Sequence, residues 1–215
     1  MPQSAPQSQR WRRRKHARPQ EILGAALVVF AEKGFAAARM EDIAKQAGVT
    51  KGTIYLYFPS KDAVFKSLVR ESIGTTLDII IENAKAYSGP SADIVRMALS
   101  RIALFLSESD LAALPKIILS ETGQFPELAR FYRSEIIDKG LGFLTGVIER
   151  GIARGEFRAV PPQHAARLCI APALLGAIWR TTFAKFDSEP YDYKALIDAH
   201  IDVLLRGLAK GEHAP

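Results

Sequence analysis

Apolar residues recur along most of the chain with the three-to-four-residue spacing of α-helices. Stripes of this kind predict helices over residues 19–33, 61–87, 92–107, 112–121, 126–154, 163–186 and 191–209. Two shorter stripes between residues 39 and 58 predict two further helices. From residue 91 onward no alternating strand pattern occurs. The sequence therefore predicts an all-α protein of about nine helices.

The segment 39–61 contains the two short predicted helices, joined by a tight turn. Apolar residues at i, i+3, i+4 and i+7 from Met40 form one face of the first helix, and Gly48 follows it. Thr50 can cap the second helix with its hydroxyl, and Pro59 ends that helix. This arrangement is typical of a helix-turn-helix, whose second helix enters the DNA major groove.

The outward face of the second short helix carries hydroxyls, an ammonium group, an exposed backbone amide and two phenol rings. These groups belong to Thr50, Lys51, Gly52, Thr53, Tyr55 and Tyr57. They suit phosphate oxygens, base edges and thymine methyl groups. We expect Thr53 and Tyr55 to select the sequence, and Lys61, at the start of the next helix, to contact a phosphate.

The run 48–58, with Ile43 and Ala44 upstream and Lys61 downstream, resembles the signature of the tetracycline-repressor (TetR) family of bacterial transcription regulators. The resemblance covers roughly residues 16–76. Members of that family usually have Ser or Thr before the first helix of the motif, where this chain has Ala38 and Arg39. We therefore expect a weaker helix cap there, and we expect Arg39 to contact a phosphate.

The net charge of +6 is concentrated at the N-terminus. Residues 1–20 contain six basic side chains and no acidic one, whereas the rest of the chain is neutral. A basic arm can bind the DNA backbone or the minor groove, or it can be a flexible, solubilising tail. We predict a flexible basic arm over 1–15, a DNA-binding domain over 16–76 that includes Arg18 as a contact, and a ligand-binding and dimerisation domain over 77–215.

The resemblance implies a ligand pocket among the fifth to eighth helices. Large apolar and aromatic side chains are the candidates for its wall: Met97, Phe105, Phe125, Phe143, Trp179 and Phe183. Taken singly, each is better explained as an ordinary core residue. As a set they favour a lipophilic ligand, because small-molecule sites are mostly apolar with a few polar groups.

The resemblance also implies that the last two helices pair with the same helices of a second subunit. The interface candidates are Ala173, Gly176, Ala177, Leu196, Ile197, Ile201, Leu204 and Leu208. The alternative is that both helices close the core of a single chain. A homodimer would bind palindromic DNA, because its two-fold symmetry calls for the same half-site twice. Its two reading helices would lie about 34 Å apart, which is one turn of DNA.

No catalytic, cofactor-binding or metal-binding pattern occurs, because the four histidines are dispersed and Cys169 is the only cysteine. The lone cysteine suits the reducing cytoplasm. No apolar run is long enough to span a bilayer, so we expect no membrane partner. We therefore expect a non-enzymatic regulator of double-stranded DNA, a dimeric repressor released by a small lipophilic ligand. The alternatives are an activator, a regulator controlled by a partner protein, and a helical interaction module without DNA binding.

Overall fold

The computed structural model describes residues 7–108, 113–121 and 123–211, and for residues 7–18, 108 and 113 it describes the backbone alone. This part of the chain is all-α, as predicted, apart from an isolated antiparallel bridge between Phe157 and Ala209. When helical segments that follow one another directly are counted together, it forms nine helices.

The nine helices are numbered in chain order, and two of them contain three consecutive segments each. They are α1 (Gln7–Ala37), α2 (Met40–Gln46), α3 (Lys51–Tyr57), α4 (Lys61–Val69, Arg70–Gly74 and Thr75–Ala86), α5 (Ser91–Glu108), α6 (Ala113–Glu121), α7 (Pro126–Tyr132, Arg133–Ile137 and Asp138–Ala153), α8 (Pro162–Thr182) and α9 (Tyr193–Leu208). A short 3₁₀ turn, Ala184–Phe186, lies between α8 and α9.

Helix α1 begins at Gln7, so the predicted start near Pro19 is wrong. Glutamine, arginine and lysine dominate residues 7–18 and favour helix, which carries α1 back beyond the proline. The predicted end is confirmed, because Gly34 interrupts the helix with φ 76°. Residues 1–6 of the predicted arm lie outside the described residues.

Helices α1 to α3 and the first segment of α4 pack around one core, and together they are called the head. Phe30, Ile43, Ile54 and Phe65 are fully buried in it. Phe35 joins Phe30 and Phe65 in an aromatic cluster with ring centroids 5.4 to 5.9 Å apart. The core continues into α6 and the start of α7, so the head is packed directly against the rest of the molecule.

The local signals within the motif act as the sequence predicts. Gly48 adopts φ 63° in the turn, and the Thr50 hydroxyl accepts the backbone N–H of Thr53 at 3.2 Å. The start of α2 has a cap that the sequence analysis missed, because the Arg39 N–H donates to the Asp42 carboxylate at 3.1 Å. A carboxylate at the third helical position therefore caps the start of α2 and supplies one of the two hydrogen bonds of a capping box.

Helices α4 and α7 each contain a five-residue π-helical segment, Arg70–Gly74 and Arg133–Ile137. The two segments pack against each other, and Arg70 Nη2 lies 2.9 Å from Glu135 Oε1. π-Helical segments are rare and occur mostly at functional sites. Here they lie where the two long helices leave the core of the head.

A second core joins α5, the last segment of α7, α8 and α9. Helices α8 and α9 approach closely at Gly176, where a Cβ atom would lie 2.8 Å from the side chains of Leu196 and Tyr193. The Tyr193 hydroxyl donates to the Ala173 carbonyl at 2.8 Å. The small residues of α8 therefore make room for α9 of the same chain.

Candidate DNA-reading surface and internal cavity

The exposed face of α3 carries the side chains predicted to read DNA. Tyr55 is 43% exposed, and its neighbour Leu56, which the sequence analysis missed, is 83% exposed. The hydroxyls of Thr50 and Thr53 lie 2.8 Å apart at the start of the helix. Tyr57 is half-buried against the head core, so less of it is available to DNA. The face offers apolar surface for thymine methyl groups beside hydroxyls for polar contacts.

Lys51 of α3 and Glu41 of α2 form an exposed ion pair with Nζ and Oε1 2.6 Å apart. Their hydrogen bond raises the pKa of Lys51 and holds the pKa of Glu41 below its usual range. Exposed pairs contribute little to stability, so Lys51 can leave Glu41 for a phosphate. The Arg39 side chain is exposed and makes no cap hydrogen bond, whereas the side chain of Arg18 lies outside what the structure describes.

Lys61 is a structural residue, which contradicts the prediction of a free phosphate contact. Its ammonium group donates to the carbonyl oxygens of Phe35, Ala36 and Ala38 at 2.5, 3.1 and 2.9 Å. An ammonium group has three donors, and all three are occupied here. Burial lowers the pKa of Lys61. The side chain ties the start of α4 to the turn 34–38, at the end of α1.

Glu121, the last residue of α6, holds the same turn from another side. Its Oε1 atom accepts the backbone N–H groups of Phe35 at 3.0 Å and Ala36 at 3.4 Å. The ring of Phe125, just before α7, packs edge-on against Phe35 with centroids 5.0 Å apart. The turn 34–38 is therefore held by α4 and α6 together.

Helices α4 to α8 surround a cavity of about 450 Å³. Its wall is mostly aliphatic and includes Ile73, Leu77 and Ile80 of α4, Ile102, Phe105 and Leu106 of α5, Ile118 of α6, Ile136, Leu141, Phe143 and Leu144 of α7, and Ile170, Leu174 and Ile178 of α8. This volume lies within the range of small-molecule sites.

Three polar side chains are among the described residues that line the cavity. The Thr76 hydroxyl is engaged within α4, where it donates to the Ser72 carbonyl at 3.1 Å. Tyr132 is only 7% exposed, and burial raises its pKa to about 12. Arg167 is exposed, and its Nη1 donates to the Gln163 carbonyl at 3.2 Å.

Two of the six predicted wall residues, Phe105 and Phe143, line the cavity. Phe125 instead packs in the head, and Met97 lies 45% exposed in a shallow groove between α4 and α5. The sequence analysis favoured bulky side chains, whereas isoleucine and leucine form most of the wall. The available signal was the stripe of α4, which continues beyond the head at residues 73, 77 and 80.

Trp179 and Phe183 also lie outside the cavity, exposed on the surface. Their ring centroids are 5.1 Å apart, and the Trp179 indole N–H donates to the Asp187 carboxylate at 2.9 Å. Helical spacing alone did not reveal that α8 turns these rings away from the cavity.

Six of the eight predicted dimer-interface residues are buried inside one subunit: Ala173, Gly176, Ala177, Ile197, Ile201 and Leu208. The prediction fails for these six, because a stripe of small residues shows that a helix comes close but not that it belongs to another chain. Leu204 is partly buried on the same core, and Leu196 remains 38% exposed.

A different apolar face of α8 and α9 is exposed. On α8 it contains Leu168 and Leu175, both 64% exposed, and on α9 it contains Leu196 and Val203, the latter 70% exposed. The two residues of each helix are seven positions apart, so each pair lies on one helix face, and the four residues together are called the strip.

Among the described helices, none has both the length and the apolar character required to cross a bilayer. Within the same residues, no cluster of three or more His, Cys, Asp or Glu could hold a metal ion.

A head with an exposed reading helix, joined through a long helix to a domain with an internal cavity, defines a helix-turn-helix DNA-binding regulator. The sequence pattern of the family described as bacterial regulatory proteins, tetR family, matches residues 22–68. The pattern described as AefR-like transcriptional repressor, C-terminal domain, matches residues 95–207. The chain belongs to the tetR family of transcriptional regulators, as its resemblance implies.

Relatives in sequence and in structure agree with this assignment. The fatty acid metabolism regulator protein of Bacillus subtilis (strain 168) is 30% identical over 196 residues, which cover 90% of this chain and 98% of the relative. A solved structure of the transcriptional regulator FadR from Bacillus subtilis in complex with stearoyl-CoA is 28% identical, with a TM-score of 0.72 over 88% of this chain and 98% of that one. The fatty acid degradation regulator FadR from Bacillus halodurans is 26% identical, with a TM-score of 0.70 over 87% and 94%.

Proposed function

We propose that the protein is a homodimeric repressor that a small lipophilic ligand releases from a palindromic operator. The cavity of about 450 Å³ carries this proposal, because its almost entirely apolar wall suits a long hydrocarbon ligand. The relative FadR, which binds stearoyl-CoA, supports the same class of ligand. A repressor of this kind would act in the cytoplasm, where a single unpaired cysteine is ordinary.

We assign the DNA contacts to the exposed groups of the head. Phosphate contacts are assigned to Arg39, Thr50, Lys51 and Tyr57, with Arg18 and the basic start of α1 as further contacts. Base contacts are assigned to Gly52, Thr53 and Tyr55, and Leu56 adds apolar surface beside them. Lys61 is removed from the set, because its three donors are engaged within the head.

The route from cavity to head consists of side chains that belong to both. Ile73, Ile118, Tyr132 and Ile136 line the cavity and also pack in or against the head core. A ligand that pushes these side chains apart would move α4 and α6, and with them the head. It must bind the released state better than the DNA-bound state, since equal affinity shifts nothing.

The exposed strip of α8 and α9 is the surface we assign to dimerisation. Replacing Leu175 or Val203 with Glu places a charge in that surface, and sedimentation should then show a monomer with weakened operator binding. Ile79→Glu is the matched control, because Ile79 is 45% exposed on α4 and outside the strip. If the wild-type protein sediments as a monomer at micromolar concentration, the dimer is rejected.

The test of the function is binding to DNA from upstream of the protein's own gene, measured by fluorescence anisotropy with and without stearoyl-CoA. We expect tight binding that stearoyl-CoA reverses, and we expect Tyr55→Ala to change the preferred sequence. Failure to bind any palindromic DNA would favour an interaction module. Binding that no lipophilic compound reverses would favour control by a partner protein, and a reporter gene that falls silent on deletion would favour an activator.

A further inference from the structure

The wall of the cavity contains one buried tyrosine side chain, Tyr132. Tyr132 is 7% exposed and lines the cavity, and within the described residues its hydroxyl makes no hydrogen bond. The other hydroxyl in the wall, that of Thr76, already donates to Ser72. A hydroxyl that lines an apolar site and has no protein partner is available to a polar group of the ligand.

Tyr132 and Arg167 lie towards opposite ends of the cavity. Tyr132 is at the end of the first segment of α7 and belongs to the head core. Arg167 is near the start of α8, which runs back towards the head after the short connection from α7. From Tyr132 to Leu144 the wall follows α7 for roughly 18 Å at 1.5 Å per residue. The cavity is therefore long, with one polar group near each end.

The two polar groups call for different partners. Arg167 is the only charged side chain among the described wall residues, so an anionic group is its expected partner. Burial raises the pKa of Tyr132 to about 12, so its hydroxyl stays protonated and can donate a hydrogen bond. The surroundings of Tyr132 are apolar and disfavour a charged group, so a neutral oxygen is its expected partner. Between these groups the wall is apolar and suits a hydrocarbon chain.

We propose that the ligand is a long-chain molecule with an anionic group at the end bound by Arg167 and a hydroxyl or carbonyl oxygen at the far end, bound by Tyr132. This inference rests on the proposed function, because it assumes that the ligand fills this cavity. A carboxylate and the phosphates of a coenzyme A thioester are both suitable anions for Arg167. Tyr132 thereby selects an oxygenated chain end over a plain hydrocarbon end.

Two acids that differ only at the chain end test the proposal, namely hexadecanoate and 16-hydroxyhexadecanoate. Calorimetry on the full-length wild-type protein should show that the hydroxy acid binds roughly tenfold tighter, the effect of one hydrogen bond with a neutral donor. Tyr132→Phe should abolish or reverse this preference. Arg167→Gln should weaken both acids alike, and comparison with hexadecanoyl-CoA shows whether the carboxylate or the thioester phosphates are preferred.

Tyr193→Phe is the matched control, because Tyr193 is equally buried but its hydroxyl donates to Ala173 outside the cavity. That variant should lose stability and keep the preference for the hydroxy acid. Equal affinity of wild type for the two acids, or a preference that persists in Tyr132→Phe, would overturn the inference and leave the proposed function standing. Binding of none of the three probes would overturn the inference together with the ligand class of the proposed function.

Discussion

Replacing Lys61 with Met separates the two roles available to this side chain. The substitution keeps most of the aliphatic stem and removes the ammonium group that donates to three carbonyl oxygens of the turn 34–38. If Lys61 is structural, the variant loses stability and keeps its electrostatic contacts with DNA. If Lys61 binds a phosphate, the pattern is the opposite.

The expected loss of stability follows from those contacts. A hydrogen bond from a charged donor contributes about 1.5–3 kcal/mol, but burying the ammonium group offsets part of the total. We expect a net loss of about 2–4 kcal/mol, which lowers the melting temperature by roughly 4–16 °C in a protein of this size. Thermal unfolding followed by circular dichroism measures this change.

The salt dependence of operator binding gives the second measurement. Loss of one phosphate contact reduces the slope of log K against log salt concentration by about 0.9. We expect no change in slope for Lys61→Met. For Lys51→Met we expect the reduced slope with little change in melting temperature, since Lys51 is in an exposed ion pair with Glu41.

A reduced slope in Lys61→Met, measured below its melting temperature, would refute the structural role. An unchanged melting temperature would do the same, because it would mean that the three hydrogen bonds add nothing to the folded state.

Three further predictions concern the rest of the chain. Glu121→Ala should lower the free energy of unfolding by about 1–3 kcal/mol, because α6 loses its two amide hydrogen bonds to the head. The same variant should release DNA less completely when ligand is added, which anisotropy measures. Gly151→Ala should destabilise by about 1–3 kcal/mol in denaturant titration, since a Cβ there overlaps the Phe157 ring, whereas Gly146→Ala, with open space around it, should be neutral or stabilising. Cys169 is buried and its pKa is raised to about 11, so at pH 8 it should react with a disulfide reagent only after unfolding, and rapid reaction in the native protein would contradict its burial.

The parts of the fold that the sequence predicts are those determined by neighbours along the chain. Gly48 occupies the turn because a positive φ is unfavourable for most other residues. Thr50 caps α3 because its hydroxyl reaches the backbone amide three residues further on. The Asp42 cap is local as well, and a search for an acidic residue at the third helical position would have found it.

The features that the sequence does not predict depend on contacts between distant segments. Lys61 is a plausible phosphate contact until the turn 34–38 is seen to fold against its ammonium group. Gly176 marks a close helix approach, but only the structure shows that α9 of the same chain is the neighbour. The cavity wall is equally non-local, because helical periodicity identifies buried faces without showing which of them leave space between them.

The turn 34–38 links the ligand-binding half to the head, because its backbone bonds one cationic and one anionic side chain. Lys61 of α4 donates to its carbonyl oxygens, and Glu121 of α6 accepts its amides. Both helices line the cavity, and the π-helical segment of α4 contributes Ile73 to the wall. A ligand that moves α4 and α6 apart must therefore strain one of these hydrogen-bond sets or carry the head with it. Because the head core continues into α6 and α7, the second outcome preserves more buried contacts, and rotation of the whole head is the response that the packing favours.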